Sequence, residues 1–366
     1  MSASDESRAL PGDDPHEVML VARGIATAVA PDTGLSDVQA NLLGAIAEAL
    51  TGVAIDYRDL EPLSAADLAD VIGGRDLDYR QRIVHHMVLG ELVLRPLPVT
   101  VAHRVAQYAE ALGVKDDFVR VARRYAQGAN GLAWMDLQRS GFVEHIDSDG
   151  AAPKRAVQGP PLAPAEPDPE LAARWEAFAE LPEGSLGRCV FQMYDERGFG
   201  LPGTPGGAPP YLAQHDFVHV LADYGTNLKG EIEVFALIGR ADPDPKGFAW
   251  LATLIGLFET GFVADAGFFT RDVREHNVAA SGMHTRLADA IRRGKSLSAH
   301  ERRDLFEIDF HALAPRPVED VREILHFEGK SPAAIAAGSP GAFDLEGMSE
   351  KQRLVVAERR SLSSES

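Results

Sequence analysis

The stretch HDFVHVLADYGTNLKGE, His215 to Glu231, sets two imidazoles four residues apart. An aspartate stands beside the first and a glutamate twelve residues past the second. On a helix, positions i and i+4 share a face with Cβ atoms about 5–6 Å apart. That spacing lets two imidazoles hold one divalent ion. Asp216 lies about 100° round the helix from His215, where its carboxylate reaches the ion or a water bound to it. Glu231 cannot join them on a continuous helix, because twelve residues advance about 18 Å along the axis. The segment YGTN, Tyr224 to Asn227, offers a break. Gly225 suits a helix C-terminus, and Thr226 or Asn227 suits the cap of a following helix. Bent there into a hairpin, the chain brings His219 and Glu231 to similar height on neighbouring arms, and Gly230 permits close approach. His215, Asp216, His219 and Glu231 then form a mixed nitrogen and oxygen set with room for water. This is the ligand character of a catalytic site for zinc or a similar divalent ion, unlike a closed structural zinc site. The plainer reading is one polar helix face. Against it, Phe217, Val218, Val220 and Leu221 surround the motif with apolar residues.

The elements that must position this segment read as helices throughout. Ser36 and Gln39 make a capping box before Val38, Leu42, Leu43, Ile46 and Leu50. Ser64 and Asp67 open a second helix carrying Leu68, Val71 and Ile72. A third spans 79–94, and Thr100 caps a fourth that Gly113 stops. Helical patterns continue over 116–127 and 132–140. Period-two alternation is almost absent, so the expected class is all-α. Residues 1–17 read as a disordered leader and 18–146 as an N-terminal helical domain. Residues 147–170, with six prolines, read as an extended linker. A second helical domain follows over 171–335, and 336–366 reads as a polar, frayed tail. Fourteen of the sixteen phenylalanines lie beyond residue 170, which marks the second region as different in kind. Within it, GFAWLATLIGLFETGFVADAGFF is apolar nearly all round. Phe248, Trp250, Leu254, Phe258 and Phe262 are its candidates for lining an apolar tunnel; taken without other context, they read as ordinary core.

A net charge of −19 disfavours nonspecific attraction to nucleic acid. One cysteine, Cys189, excludes an internal disulfide and a cysteine zinc knuckle, and its apolar neighbours suggest an inert thiol. The N-terminus has neither the basic start nor the apolar run of a signal peptide, and no run reaches spanning length. The expected location is the cytoplasm, with peripheral membrane contact compatible with the sequence. Of the other histidines, His85 and His86 stand together in the third helix, while His103, His276, His284, His300, His311 and His326 have no ligand-like companions nearby; each reads as a surface or core residue.

The motif HDxxH, eleven residues and Glu resembles the metal-site motif of the coenzyme Q (ubiquinone) biosynthesis protein four family. The resemblance extends to LPEGSLGRCVFQMYDERGF upstream, and downstream to TRLADAIRRGKSL and FEIDFHALAPRPVEDVREIL, covering about 171–328. It implies an all-helical domain with a divalent ion, zinc being the natural choice, and a pocket for an isoprenoid chain. His215, Asp216, His219 and Glu231 become the ligands. The implied activity is oxidative removal of the C1 carboxyl of a prenylated hydroxybenzoate. The implied partners are a prenylated aromatic compound or isoprenoid lipid and other quinone-biosynthesis enzymes; a homodimer is compatible. Two other readings stand beside it. One is a scaffold that holds the lipid and partner enzymes without chemistry, and the other a zinc hydrolase with Asp216 as catalytic base. The N-terminal helices depart from that family and loosely resemble tellurite-resistance B-like domains, without an acidic metal cluster.

Overall fold

The computed structural model describes residues 14–94, 97–115, 167–205, 207–208, 210, 213–241, 277–300 and 304–364. Among these residues the chain is all-α; the single extended pairing is one bridge between Ser185 and Pro317. Local caps explain where most helices begin. α1 (Pro15–Val29) starts inside the expected leader, because the Asp14 carboxylate accepts from the His16 amide and Pro15 is pre-set for a first turn. α2 (Asp37–Thr51) opens on the Ser36–Gln39 capping box and closes on Gly52 in the left-handed region. α3 (Ala65–Ile72) is capped by Ser64, and α4 (Leu77–Leu92) by Asp76, so that α4 starts at Leu77, two residues ahead of the start read from periodicity. α5 (Val99–Ala111) corrects the reading of Thr100 as a cap. Pro98 occupies that position in extended conformation (φ −68°, ψ 133°), without a side-chain bond.

The second region holds α6 (Pro169–Glu176), α7 (Leu186–Arg197), α8 (Gln214–Ala222), α9 (Leu228–Ala241) and α10 (Met283–His300). It continues with α11 (Phe310–Leu313), α12 (Val318–Leu325), α13 (Pro332–Ala336) and α14 (Glu350–Ser364). α6 begins within the stretch read as linker, where Asp168 accepts from the amides of Glu170 and Leu171. The patterns over 116–140, the rest of the linker, and Phe248, Trp250, Leu254, Phe258 and Phe262 lie outside the described residues.

The two regions are not separated in packing. α2 lies along α10, and one apolar core runs from Leu42, Leu43 and Ile46 to Leu287 and Ile291. Fully burying each such side chain is worth about 1.5–3 kcal/mol. Polar ties reinforce the contact: Lys295 Nζ donates to Leu50 O at 3.0 Å, and His284 Nε2 meets Glu48 Oε2 at 2.8 Å.

The polar tail is also corrected. Ala342, Met348, Gln352 and Val356 are buried, and α14 packs on α7. The apolar periodicity is weak because much of this packing uses backbone and small residues.

Candidate metal centre

α8 and α9 form the hairpin, joined by residues 223–227. The bend departs from the expected one in detail. α8 ends at Ala222, and Asp223 takes the left-handed position (φ 58°), where Gly225 was expected to act. Aspartate tolerates that region better than most residues, and here its Oδ1 accepts from the Ala342 amide at 3.0 Å while Lys330 Nζ lies 3.2 Å from Oδ2. Gly225 is needed for a different reason: a Cβ there would sit 2.5 Å from Gly347 Cα. Asn227 starts α9, its Oδ1 accepting from the Gly230 amide at 2.9 Å. The absence of a Cβ at Gly230 admits the Gly225 carbonyl rather than a neighbouring helix.

The end of α8 is held from several sides. Arg322 donates to the carbonyls of Leu221 and Val220, and Arg293 to that of Ala222. Both guanidiniums satisfy carbonyls that a helix terminus leaves open and sit at the negative end of its dipole. The chain from 342 to 352 clamps the bend: Asn227 donates to the carbonyls of Gly347 (2.8 Å) and Glu346 (2.9 Å), and Thr226 donates to Gln352 Oε1 (2.9 Å). Buried Arg197 ties Thr226 to the Ala342 carbonyl.

This frame brings His215, Asp216, His219 and Glu231 together. One ligand atom from each of His215, Asp216 and His219 lies within 4.8 Å of the others. Glu231 faces them from α9, with Oε2 3.4 Å from His215 Nε2 and Oε1 3.3 Å from His219 Nε2. Asp216 Oδ1 is 3.5 Å from His215 Nε2. Phe235 packs on the His215 ring at 5.2 Å, and Phe217 turns away to stack on Phe310 at 4.9 Å.

His219 is fully buried, and its two nitrogens differ. Nδ1 lies 3.2 Å from the Tyr224 carbonyl, which can only accept. The proton therefore sits on Nδ1 and the lone pair on Nε2. Nε2 makes no hydrogen bond, despite its distance from Glu231. A buried lone pair aimed at two carboxylates and a second imidazole fits a divalent cation and fits no donor among the described residues. Backbone carbonyl to Nδ1 is also the usual outer support of a metal-bound histidine. Burial raises the Glu231 carboxyl; where the imidazoles of His219 and His215 are protonated, their charge and hydrogen bonds outweigh burial and hold it down to about 2. It is an anion at neutral pH.

Tyr194 is the site residue the sequence did not disclose. Its hydroxyl donates to Asp216 Oδ2 at 2.5 Å. Burial first, then the Asp216 charge, raises the phenol well above its ordinary range, so it stays a donor. The segment QMYDERGF contains it, but nothing local marks a partner 22 residues away. Cys189 is partly buried, and burial pushes its thiol up, as suits an unreactive side chain. His86 is buried in α4, where burial pulls its imidazole down to about 3 and keeps it neutral. No described helix is long and apolar enough to cross a membrane. Comparison of the chain with known protein families, with curated proteins and with solved structures gives no match.

Proposed function

We propose that this chain is a divalent-metal protein, with zinc the fitting ion, whose centre acts on a prenylated aromatic acid and removes its ring carboxyl. The single observation carrying the metal is His219: fully buried, its Nδ1 3.2 Å from the accepting Tyr224 carbonyl, and its Nε2 without a hydrogen bond. The substrate class rests on the resemblance of residues 171–328 to the ubiquinone biosynthesis protein four family.

In this reading His215, His219, Asp216 and Glu231 hold the ion, and two carboxylates balance its charge. When bound, the ion supplies Lewis acidity toward a carboxylate or phenolate oxygen. Tyr224 keeps His219 in the right tautomer, and Phe235 fixes the His215 ring. With Oδ2 engaged by Tyr194, Asp216 supports a ligand role better than that of a hydrolytic base.

Metal analysis of the purified protein should find about one zinc per chain, and His219→Ala should lose it. Carbon dioxide release from a prenylated hydroxybenzoate, given an electron acceptor, should depend on His219. A metal-free wild type that cannot be loaded sinks the metal reading. A metal-loaded protein that retains prenyl lipid without turnover turns the reading to a scaffold.

A further inference from the structure

We infer that Tyr194 is a positioning residue for the metal centre, holding Asp216 so that it offers one oxygen, Oδ1, to the ion. The inference rests on the metal reading above and adds a residue to it.

The geometry is specific. Tyr194 lies on α7, outside the hairpin, and is 1% exposed. Its ring is wedged between Trp175, at 5.2 Å, and Phe199, edge-on at 5.5 Å. These contacts leave the hydroxyl little freedom, and it points at Asp216 Oδ2 at 2.5 Å. The other oxygen, Oδ1, is the one turned to His215. A carboxylate rotates easily about its last bond and binds a cation through one oxygen or two. A hydrogen bond from a fixed phenol removes that choice. With Asp216 restricted to one oxygen, the two imidazoles and Glu231 complete a small set, and a position remains for water or substrate, as catalytic sites require. Hydrogen bonds to ligating carboxylates commonly matter 10–100-fold for affinity, though the ligand itself is unchanged.

Tyr194→Phe keeps the ring and its packing and removes only the hydroxyl. Circular dichroism checks that it folds. Zinc affinity is then measured by competition with a chromophoric chelator, and cobalt(II) absorption reports coordination number. Expected are a roughly 10–100-fold weaker zinc affinity and weaker cobalt d–d bands, as Asp216 takes a second oxygen to the ion. In an Asp216→Ala background, Tyr194→Phe should produce no further loss, because its effect runs through that carboxylate. Unchanged affinity and an unchanged cobalt spectrum in folded Tyr194→Phe would overturn the inference, as would a full additional loss in the Asp216→Ala background. If His219→Ala also binds zinc like the wild type, the metal reading itself fails; if His219→Ala loses zinc and Tyr194→Phe does not, only the role of Tyr194 fails.

Discussion

Two faces of α9 carry glutamates two residues apart, and they are handled in opposite ways. Glu233, fully buried, faces α10 and is gripped by Arg286, Nε to Oε1 at 3.1 Å and the second nitrogen to Oε2 at 2.5 Å. Its charge is matched by a planar, bidentate cation. Glu231 faces α8 and meets two imidazole nitrogens, one of which carries a lone pair. No described Lys or Arg forms an ion pair with Glu231, and Asp216 adds a second negative charge. A buried anion paired inside the chain is structure; on the metal reading, a buried anion beside the His219 lone pair is where a cation from outside would complete the charge balance.

The largest effect should come from breaking the first face. Arg286→Met strands the Glu233 carboxylate in the interior and should lower stability by about 3–5 kcal/mol, read by urea denaturation, with little dependence on zinc. A small loss would mean that Glu233 is no more dependent on an internal cation than Glu231. Next is His219→Ala, which should weaken zinc binding on the order of 100-fold or more. Zinc at about 100 times its Kd should stabilise the wild type by about 2.7 kcal/mol and the variant hardly at all, as seen in paired thermal melts. Smallest at neutral pH is the acid response of the metal-free protein. The Glu231 carboxyl is depressed in the folded state, from 4.5 to about 2. The unfolded chain therefore binds the extra proton first, so this contribution is present above pH 4.5 and is lost as pH falls toward 2. Glu231→Gln should flatten stability across that window. An identical acid profile in both proteins would show that the imidazoles do not hold the carboxylate as described.

Much of the site was legible because it is encoded by spacing. A spacing of four between the histidines fixes a common helix face, and twelve more residues demand a bend before Glu231 can return. Caps were legible where a side chain makes them, as at Ser36 and Ser64. What escaped is set by distant partners. Asp223 rather than Gly225 ends α8 because Ala342, 119 residues on, gives its carboxylate an amide. The role of Gly225 is visible only once Gly347 lies against it. The packing of residues 342–352 carries no helical stripe to read, since it works through carbonyls, glycines and Gln352.

That clamp also gives the centre a place in time. Asn227 and Glu346, which meet at 2.9 Å, are separated by 119 residues of chain. At synthesis rates of about 5–20 residues per second, the hairpin leaves the ribosome roughly 6–24 s before its clamp. Both arms and all four side chains are present during that interval, but the bend that sets their distance is not yet fastened. The site is thus among the last parts of the molecule to mature, and under the proposed metal reading ion capture would belong to the end of folding. Ribosome-bound chains stalled with residue 338 just emerged should hold zinc more weakly than chains released at full length. Equal retention by both would mean that the hairpin sets its own geometry.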